Sequence, residues 1–349
     1  MGIRSVTPSK SKPTINDVAA RAGVSKKTVS RVINGEGGLR DAMRARVESA
    51  ISELGYAPNP QARALAFGRN FTLVLLHDNP NAQTVLNFQK GVLDAIGGSD
   101  LALMVRPVAR NSPDLMEQIH SFLSRHRPLA ALLLPPLSER DDLAQLCRAL
   151  DVRCIRVGSA LLDDAEHCVA SNDCEAVQAV VAYLIAQGHR RIGFVRGPNG
   201  FRSAAERERG FVQAMAERGL AVRSSLCVEG DYRFDSGVDA GRRLLDQREP
   251  PTAVFASNDE MAAGVMHAAL ERGLRLPEQL SIAGFDDSPT ARHVWPALTT
   301  VRWPIVEMGA LAAQKAVAGI LDLRPFSAAT VTLPSEVVTR DSVARLKAD

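Results

Sequence analysis

The chain has 349 residues, 46% hydrophobic and 23% charged, with 42 Lys and Arg against 39 Asp and Glu for a net charge of +3. That length accommodates two or three domains, and no stretch reaches the ~20 consecutive apolar residues of a membrane span. Five cysteines (Cys147, Cys154, Cys168, Cys174 and Cys227) form no paired C-x-x-C spacing, and the polar N-terminus lacks an apolar core run; these features exclude a zinc or disulfide framework and point to a cytoplasmic protein with reduced thiols.

Residues 1–70 hold 12 Lys and Arg against 5 Asp and Glu, so the basic excess is confined to the N-terminal fifth and the remainder is mildly acidic. A small basic module on a near-neutral body suits a nucleic-acid partner. Residues 1–13, with Arg4, Lys10 and Lys12 among Ser, Thr and Pro, read as a disordered basic tail. From Thr14 the pattern becomes helical. Ile15, Val18 and Ala19 recur at helical spacing, Gly23 breaks the pattern, and Ser25 can cap a second helix with apolar residues Val29, Val32 and Ile33. Small Ala19, flexible Gly23 and β-branched Val29 and Val32 let two short helices cross closely, as in a helix-turn-helix. The free face of the second helix then carries Lys26, Lys27, Thr28, Ser30 and Arg31, donors for base edges and phosphates.

A third helix, Asp41 to Leu54, places Met43, Val47, Ala50, Ile51 and Leu54 on one face, and Gly55 ends it. In residues 58–70 Asn59 can cap and Pro60 can start a helix of about two turns, too short to be stable alone. Such a segment is expected to fold on DNA, beside its twin, with Leu65 as an apolar wedge for a minor-groove step; a plain interdomain linker is the other reading of its composition.

The stretch TINDVAARAGVSKKTVSRVING, followed by a helix ending ELGYAPNPQARAL, resembles the DNA-binding domain of the lactose-repressor (LacI/GalR) family of bacterial transcription factors. The resemblance implies a homodimer on a palindromic DNA operator, with a recognition helix in each major groove and paired hinge helices in the central minor groove. By position, Lys26, Lys27 and Arg31 would read bases, Thr28, Ser30 and Asn34 would hold the backbone, and Leu65 would be the minor-groove lever. Thr14, Ser25 and Asn59 complete the implied DNA-contacting set.

Beyond Phe71, apolar runs alternate with amphipathic stretches. Strands are expected at 71–76, 101–105, 129–134, 152–157, 191–195, 253–256 and 280–285. Helices are expected over Leu86–Ile96, Asp114–Arg125, Cys174–Ala186, Ala204–Arg218, Ser236–Leu245 and Asp259–Arg272. Continuous apolar strands between helices predict parallel sheets covered on both faces, in two doubly wound lobes with a cleft between them. The resemblance extends here through YLIAQGHRRIGFVRGP, PTAVFASNDEMAAGVMHAALERGLRLP, LSIAGFDDSP and PALTTVRWPIVEMGALA. It implies an effector-binding and dimerisation body over 71–349, periplasmic-binding-protein-like, with crossovers near Ala170, Leu298 and Val331. The N-lobe would then comprise about 71–170 and 299–330, and the C-lobe about 171–298 and 331–342.

Ligands of open α/β sheets sit at the carboxyl ends of strands. His77, Asp78, Asn79 and Asn81, then Ser257, Asn258 and Asp259, then Asp286 and Asp287 follow expected strands there. By family position Arg207, Asn258 and Asp286 are the effector-contacting polar residues, and Tyr232 takes the place of a ring-stacking aromatic. Arg donors with an Asp acceptor suit a vicinal diol. Asn258 can equally cap the helix at Asp259, Asp287 reads as structural, and Arg207 among Glu206, Glu208 and Arg209 can be a surface ion-pair face. After the first strand the segment HDNPNAQTVLNFQKG lacks the aromatic pair common in the family, and Asn81 and Gln83 are expected to face the cleft instead.

An enzyme is disfavoured: there is no G-x-G-x-x-G after a strand, no G-x-x-x-x-G-K-[ST], no G-x-S-x-G and no H-E-x-x-H, and neither cofactor nor metal is expected. A solute-capture protein is disfavoured by the helix-turn-helix. Within the regulator class a sugar or sugar-derived inducer is favoured, with a purine-like co-repressor as the alternative. The chain ends soon after its last strand without a heptad run, so a dimer is expected, with the subunit contact on N-lobe helices such as Asn87 to Ile96.

Overall fold

The computed structural model describes residues 13–33, 39–56, 70–319 and 332–346. They fall into two compact units, Met1–Asn70 and Phe71–Asp349. The expected tail at 1–12, Asn34, and the 58–69 hinge with Asn59 and Leu65 lie outside the described residues.

The first unit is a three-helix cluster of α1 (Ile15–Ala22), α2 (Lys26–Ile33) and α3 (Asp41–Leu54). Thr14 starts α1, giving its backbone N–H and its hydroxyl to the Asp17 carboxylate, each at 2.7 Å. Gly23 ends the helix at φ 61°, a left-handed turn that a side chain would strain. Ser25 then caps α2, its hydroxyl accepting from the Thr28 N–H at 3.1 Å. Val18, Ala19, Ala22, Val29, Val32, Val47 and Ala50 are buried together, with Ile51, Leu54 and Tyr56 packed on them. Of the residues read from spacing as the crossing point, Ala19, Val29 and Val32 lie in this core and Gly23 forms the turn beside it.

The second unit carries two parallel sheets. The first has the order β11–β5–β4–β3–β1–β2, from β1 (Asn70–His77), β2 (Ala102–Pro107), β3 (Pro128–Leu133), β4 (Arg153–Gly158), β5 (Cys168–Ser171) and β11 (Thr332–Leu333). The second has the order β7–β6–β8–β9, from β6 (Ile192–Arg196), β7 (Cys227–Glu229), β8 (Ala253–Ala256) and β9 (Ser281–Ala283). A short antiparallel pair, β10 (Thr300–Arg302) with β12 (Glu336–Val338), lies on the chain's passages between the lobes. Strands β3 and β8 are buried on both faces, which is why they read as unbroken apolar runs.

Around the first sheet run α4 (Ala82–Ile96), α5 (Leu115–His126) and α6 (Asp141–Ala149). The later helices are α7 (Asp173–Ala186), α8 (Arg202–Glu217), α9 (Phe234–Leu245), α10 (Asp259–Glu271), the short α11 (Thr290–His293) and α12 (Ile305–Val317). Helices α4 and α12 approach closely because each offers a glycine. A Cβ on Gly91 would fall 1.8 Å from the Val306 carbonyl oxygen, and one on Gly309 would fall 2.4 Å from that of Phe88.

Several expectations are corrected. Helix α4 starts at Ala82 rather than Leu86, because the Asn81 side chain caps it by accepting from the N–H groups of Gln83 and Thr84. Helices α6 and α12 were not anticipated. The first is only nine residues long, and the second is buried on nearly every side, which erases its periodicity. Thr332 and Leu333 pair in parallel with Ala170 and Ser171 of β5. Those two residues therefore belong to the first lobe rather than the second, whereas Ser342, bonded to Ile282 of β9, lies in the second as the 331–342 assignment had it; the two-residue strand was too short to read. Val331 itself lies outside the described residues.

Candidate functional site: a polar cleft and a basic helix

A narrow cleft of about 40 Å³ lies between the two lobes. Asn79, Pro80, Asn81, Thr84 and Pro135 wall it on the first lobe, Phe201, Ser203, Arg207, Tyr232, Asn258 and Asp286 on the second, and Trp303 from the segment after β10. Most of these residues follow strand ends or open a helix, the positions where a parallel sheet leaves backbone and side chains unengaged.

Arg207 organises the chemistry. It is 4% exposed, which removes the surface ion-pair reading; its neighbours Arg209 and Arg196 take Glu206 and Glu208 instead. Arg207 Nε donates to Asp173 at 2.9 Å and Nη1 to the Ser257 carbonyl at 2.5 Å, while Nη2 lies 3.9 Å from Asp286 Oδ1. The guanidinium carbon sits 3.7 Å from the centre of the Phe285 ring. Asp173, itself fully buried, also accepts from Ser159 at 2.9 Å and from Ser171 at 2.5 Å. Ser171 in turn accepts from the Trp303 indole N–H at 2.8 Å. One connected network thus fixes Arg207 and Trp303, and it satisfies the partners a buried charge requires.

Burial pushes the Asp286 carboxyl up to about 7, with Arg207 pulling it down and Asp173 and Glu260 adding to the rise. Asp259, at the start of α10, is held well above the usual carboxylate range by burial and by the charge of Asp286. Asp287 faces elsewhere: its carboxylate pairs with Arg340 and, at 2.8 Å, with Arg302. Burial works against its ionisation, yet those two arginines hold it below the ordinary range. It ties the loop after β9 to β10 and to the segment after β12, a structural role.

Of the six effector residues read from the sequence, Asn81, Arg207, Tyr232, Asn258 and Asp286 meet in the cleft. Gln83 does not. Its amide donates to Asn87 one turn along α4 at 2.8 Å, and Thr84, the next residue round the helix, lines the cleft in its stead. Asn258 caps α10, Oδ1 accepting from the Met261 N–H while Nδ2 donates to the Tyr232 carbonyl, each at 2.9 Å, and the residue borders the cleft. Tyr232, at φ 70°, turns its hydroxyl to within 3.3 Å of Ser203 Oγ. Asn79, a strand-end candidate, also lines the cleft, whereas the sequence reading missed Pro80, Thr84, Pro135, Phe201, Ser203 and Trp303; the strand-end rule, applied after β3, would have reached Pro135.

In the first unit Lys26 and Lys27 are exposed on α2 and Thr28, Ser30 and Arg31 are half-buried along it, while Val29 and Val32 face the core. Thr14 and Ser25 mark the starts of α1 and α2. Among the described residues no group of His, Cys, Asp and Glu could hold a metal ion, and no helix is long and apolar enough to cross a membrane.

A compact helix-turn-helix and a two-lobed body with a polar cleft define a DNA-binding regulator of the ligand-responsive class. The family description "Bacterial regulatory proteins, lacI family" matches residues 14–59, and "Periplasmic binding protein-like domain" matches residues 181–343. A relative named as a probable HTH-type transcriptional repressor, ExuR, of Bacillus subtilis (strain 168) is 32% identical over 95% of this chain and 99% of its own. The structure of the transcriptional regulator CelR–cellobiose complex is similar at 30% identity and TM-score 0.69, over 95% of this chain and 99% of that one. The lac repressor dimer bound to operator and the anti-inducer ONPF is similar at 25% identity and TM-score 0.74, over 96% and 100%. The chain belongs to the LacI family of bacterial regulatory proteins, and it is a transcriptional regulator rather than an enzyme.

Proposed function

We propose that this regulator is a homodimeric repressor whose affinity for a palindromic operator is lowered by a neutral sugar, or a sugar-derived molecule, held in the cleft. The observation that carries the ligand class is the charge balance around Arg207. Its positive charge is already matched by Asp173 at 2.9 Å, with Asp286 a further acid beside it. An anionic ligand would meet little uncompensated positive charge there, whereas hydroxyl groups can donate to Asp286 and accept from the remaining guanidinium edge. Tyr232, Phe201 and Trp303 supply apolar ring surface for the C–H face of a pyranose. The cellobiose carried by the similar CelR structure agrees with this class.

For DNA, Lys26, Lys27 and Arg31 are the base-reading candidates, Thr28 and Ser30 the backbone-positioning ones, with Thr14 and Ser25 at the helix starts. Asn34, Asn59 and Leu65 remain assigned by family position alone. Leu86 and Leu93, 58% and 50% exposed on α4 and two helical turns apart, offer apolar surface for the subunit contact.

Isothermal titration of the full chain with neutral mono- and disaccharides, uronates, sugar phosphates and purines tests the ligand class. The expected result is heat with a neutral saccharide that is lost in R207A. Binding of a purine with no saccharide binding would contradict the proposal and favour a co-repressor.

A further inference from the structure

The N-terminus of α8 is capped by the opposite lobe. The residue at its N-cap is Phe201, whose side chain cannot accept a hydrogen bond, so the first N–H groups of the helix have no local partner. Glu139, which ends a single helical turn (Leu137–Glu139) after β3 of the first lobe, fills that place. Its carboxylate accepts from the Arg202 N–H at 2.9 Å, with the Ser203 N–H also directed toward it. A second tie crosses at the same level. Arg110, in the loop after β2 of the first lobe, lays its guanidinium over the Phe201 ring, 4.3 Å from the centroid. Arg110 is itself held by Asp78, which accepts its backbone N–H at 3.1 Å, and by Arg140, which donates to its carbonyl at 3.3 Å.

Neither Glu139 nor Arg110 lines the cleft, but the residues they hold do. Phe201 packs edge-on against Tyr232 with ring centres 5.8 Å apart, and Ser203 reaches the Tyr232 hydroxyl. We propose that Glu139 and Arg110 are positioning residues for the effector site: they order the Phe201–Ser203–Tyr232 wall only when the lobes are together, so that closing the cleft and completing its second-lobe wall are one event. A carboxylate at a helix N-terminus adds the favourable helix dipole to a charge-assisted hydrogen bond, which suits a contact that must form and break. The significance for ligand binding rests on the cleft being the effector site; the contact itself does not.

The test needs no ligand. The chain has two tryptophans, Trp303 buried in the cleft wall and Trp295, which is 84% exposed. In a full-length W295F background, acrylamide quenching of the remaining fluorescence therefore reports access to the cleft. E139A and R110A are each expected to raise quenching of Trp303, with the closed-to-open ratio falling about fivefold for loss of a cap. E139Q, which keeps an acceptor oxygen, is expected to restore most of the protection. Amide hydrogen exchange at Arg202 is expected to accelerate in both alanine variants, and more in E139A, which loses the acceptor as well as the closed state. Unchanged Trp303 quenching in both alanine variants would overturn the proposal whatever the ligand proves to be. A neutral-sugar titration that fails in the wild type, with the quenching result intact, would instead count against the ligand assignment alone.

Discussion

Asp286 lines the cleft at a cost in stability. Its carboxyl lies at about 7 in the folded protein, against an ordinary 3.8, chiefly because it is buried. Below about pH 4 the proton is bound in folded and unfolded chains alike; as pH rises through 7 the folded state must give up a proton it holds more tightly, and the associated stability is lost. D286N should therefore melt at a higher temperature than the wild type at pH 8, with the gap closing toward pH 5. A lower melting temperature at pH 8 would mean that the charged form is a net stabiliser. The same substitution removes a charge-assisted acceptor, so saccharide affinity should fall roughly ten- to hundredfold. Wild-type affinity should itself weaken as pH drops below about 7, since a protonated carboxyl accepts less well from a hydroxyl. Calorimetry across pH 5.5–8.5 reads both effects.

Among elements, the helix-turn-helix was readable because each of its parts depends on a local rule. Gly23 marks the turn and Ser25 the cap, and Val18, Val29 and Val47 lie at the centre of the seam. Replacing Gly23 with Ala imposes a left-handed φ on a side chain and brings its Cβ to 2.9 Å from the Arg46 guanidinium. The loss should be about 1–2 kcal/mol in a urea melt of the full chain. On α2, R31A should leave the fold intact and cost about 1–3 kcal/mol on the operator while relaxing preference at one base position. A competition assay with single-base operator variants distinguishes that from a uniform loss, which would mark Arg31 as a phosphate contact. The body was less legible. Helix α10 announced itself through Asn258 and the run after it, but α12, buried against α4, β3 and β4, has only a narrow polar edge at Glu307 and Gln314 to set a period. The pairing of Thr332 with β5 depends on a partner more than 150 residues away in sequence, and no local signal encodes it.

For the whole molecule, the cleft is where distant segments converge. Arg207, Tyr232, Asn258 and Asp286 could be placed from family position, because each sits in a recognisable stretch. Phe201, Ser203 and Trp303 join them only once β6 and the segment after β10 are folded against the two sheets. Gln83 was misplaced by one residue on α4, a 100° rotation that turns a side chain out of the cleft. Thermodynamics links cleft to operator: a ligand controls DNA affinity only by the difference in its own affinity for the two states of the protein. Its reciprocal follows, that operator DNA must weaken the ligand by the same factor. The most direct measurement is fluorescence anisotropy of the full chain on a short palindromic duplex with a central C-G step, titrated alone and then with each saccharide that gives heat in calorimetry. The account predicts tight binding by the protein alone, loosened by that saccharide and unaffected by it in R207A; binding that appears only after a metabolite is added would contradict it.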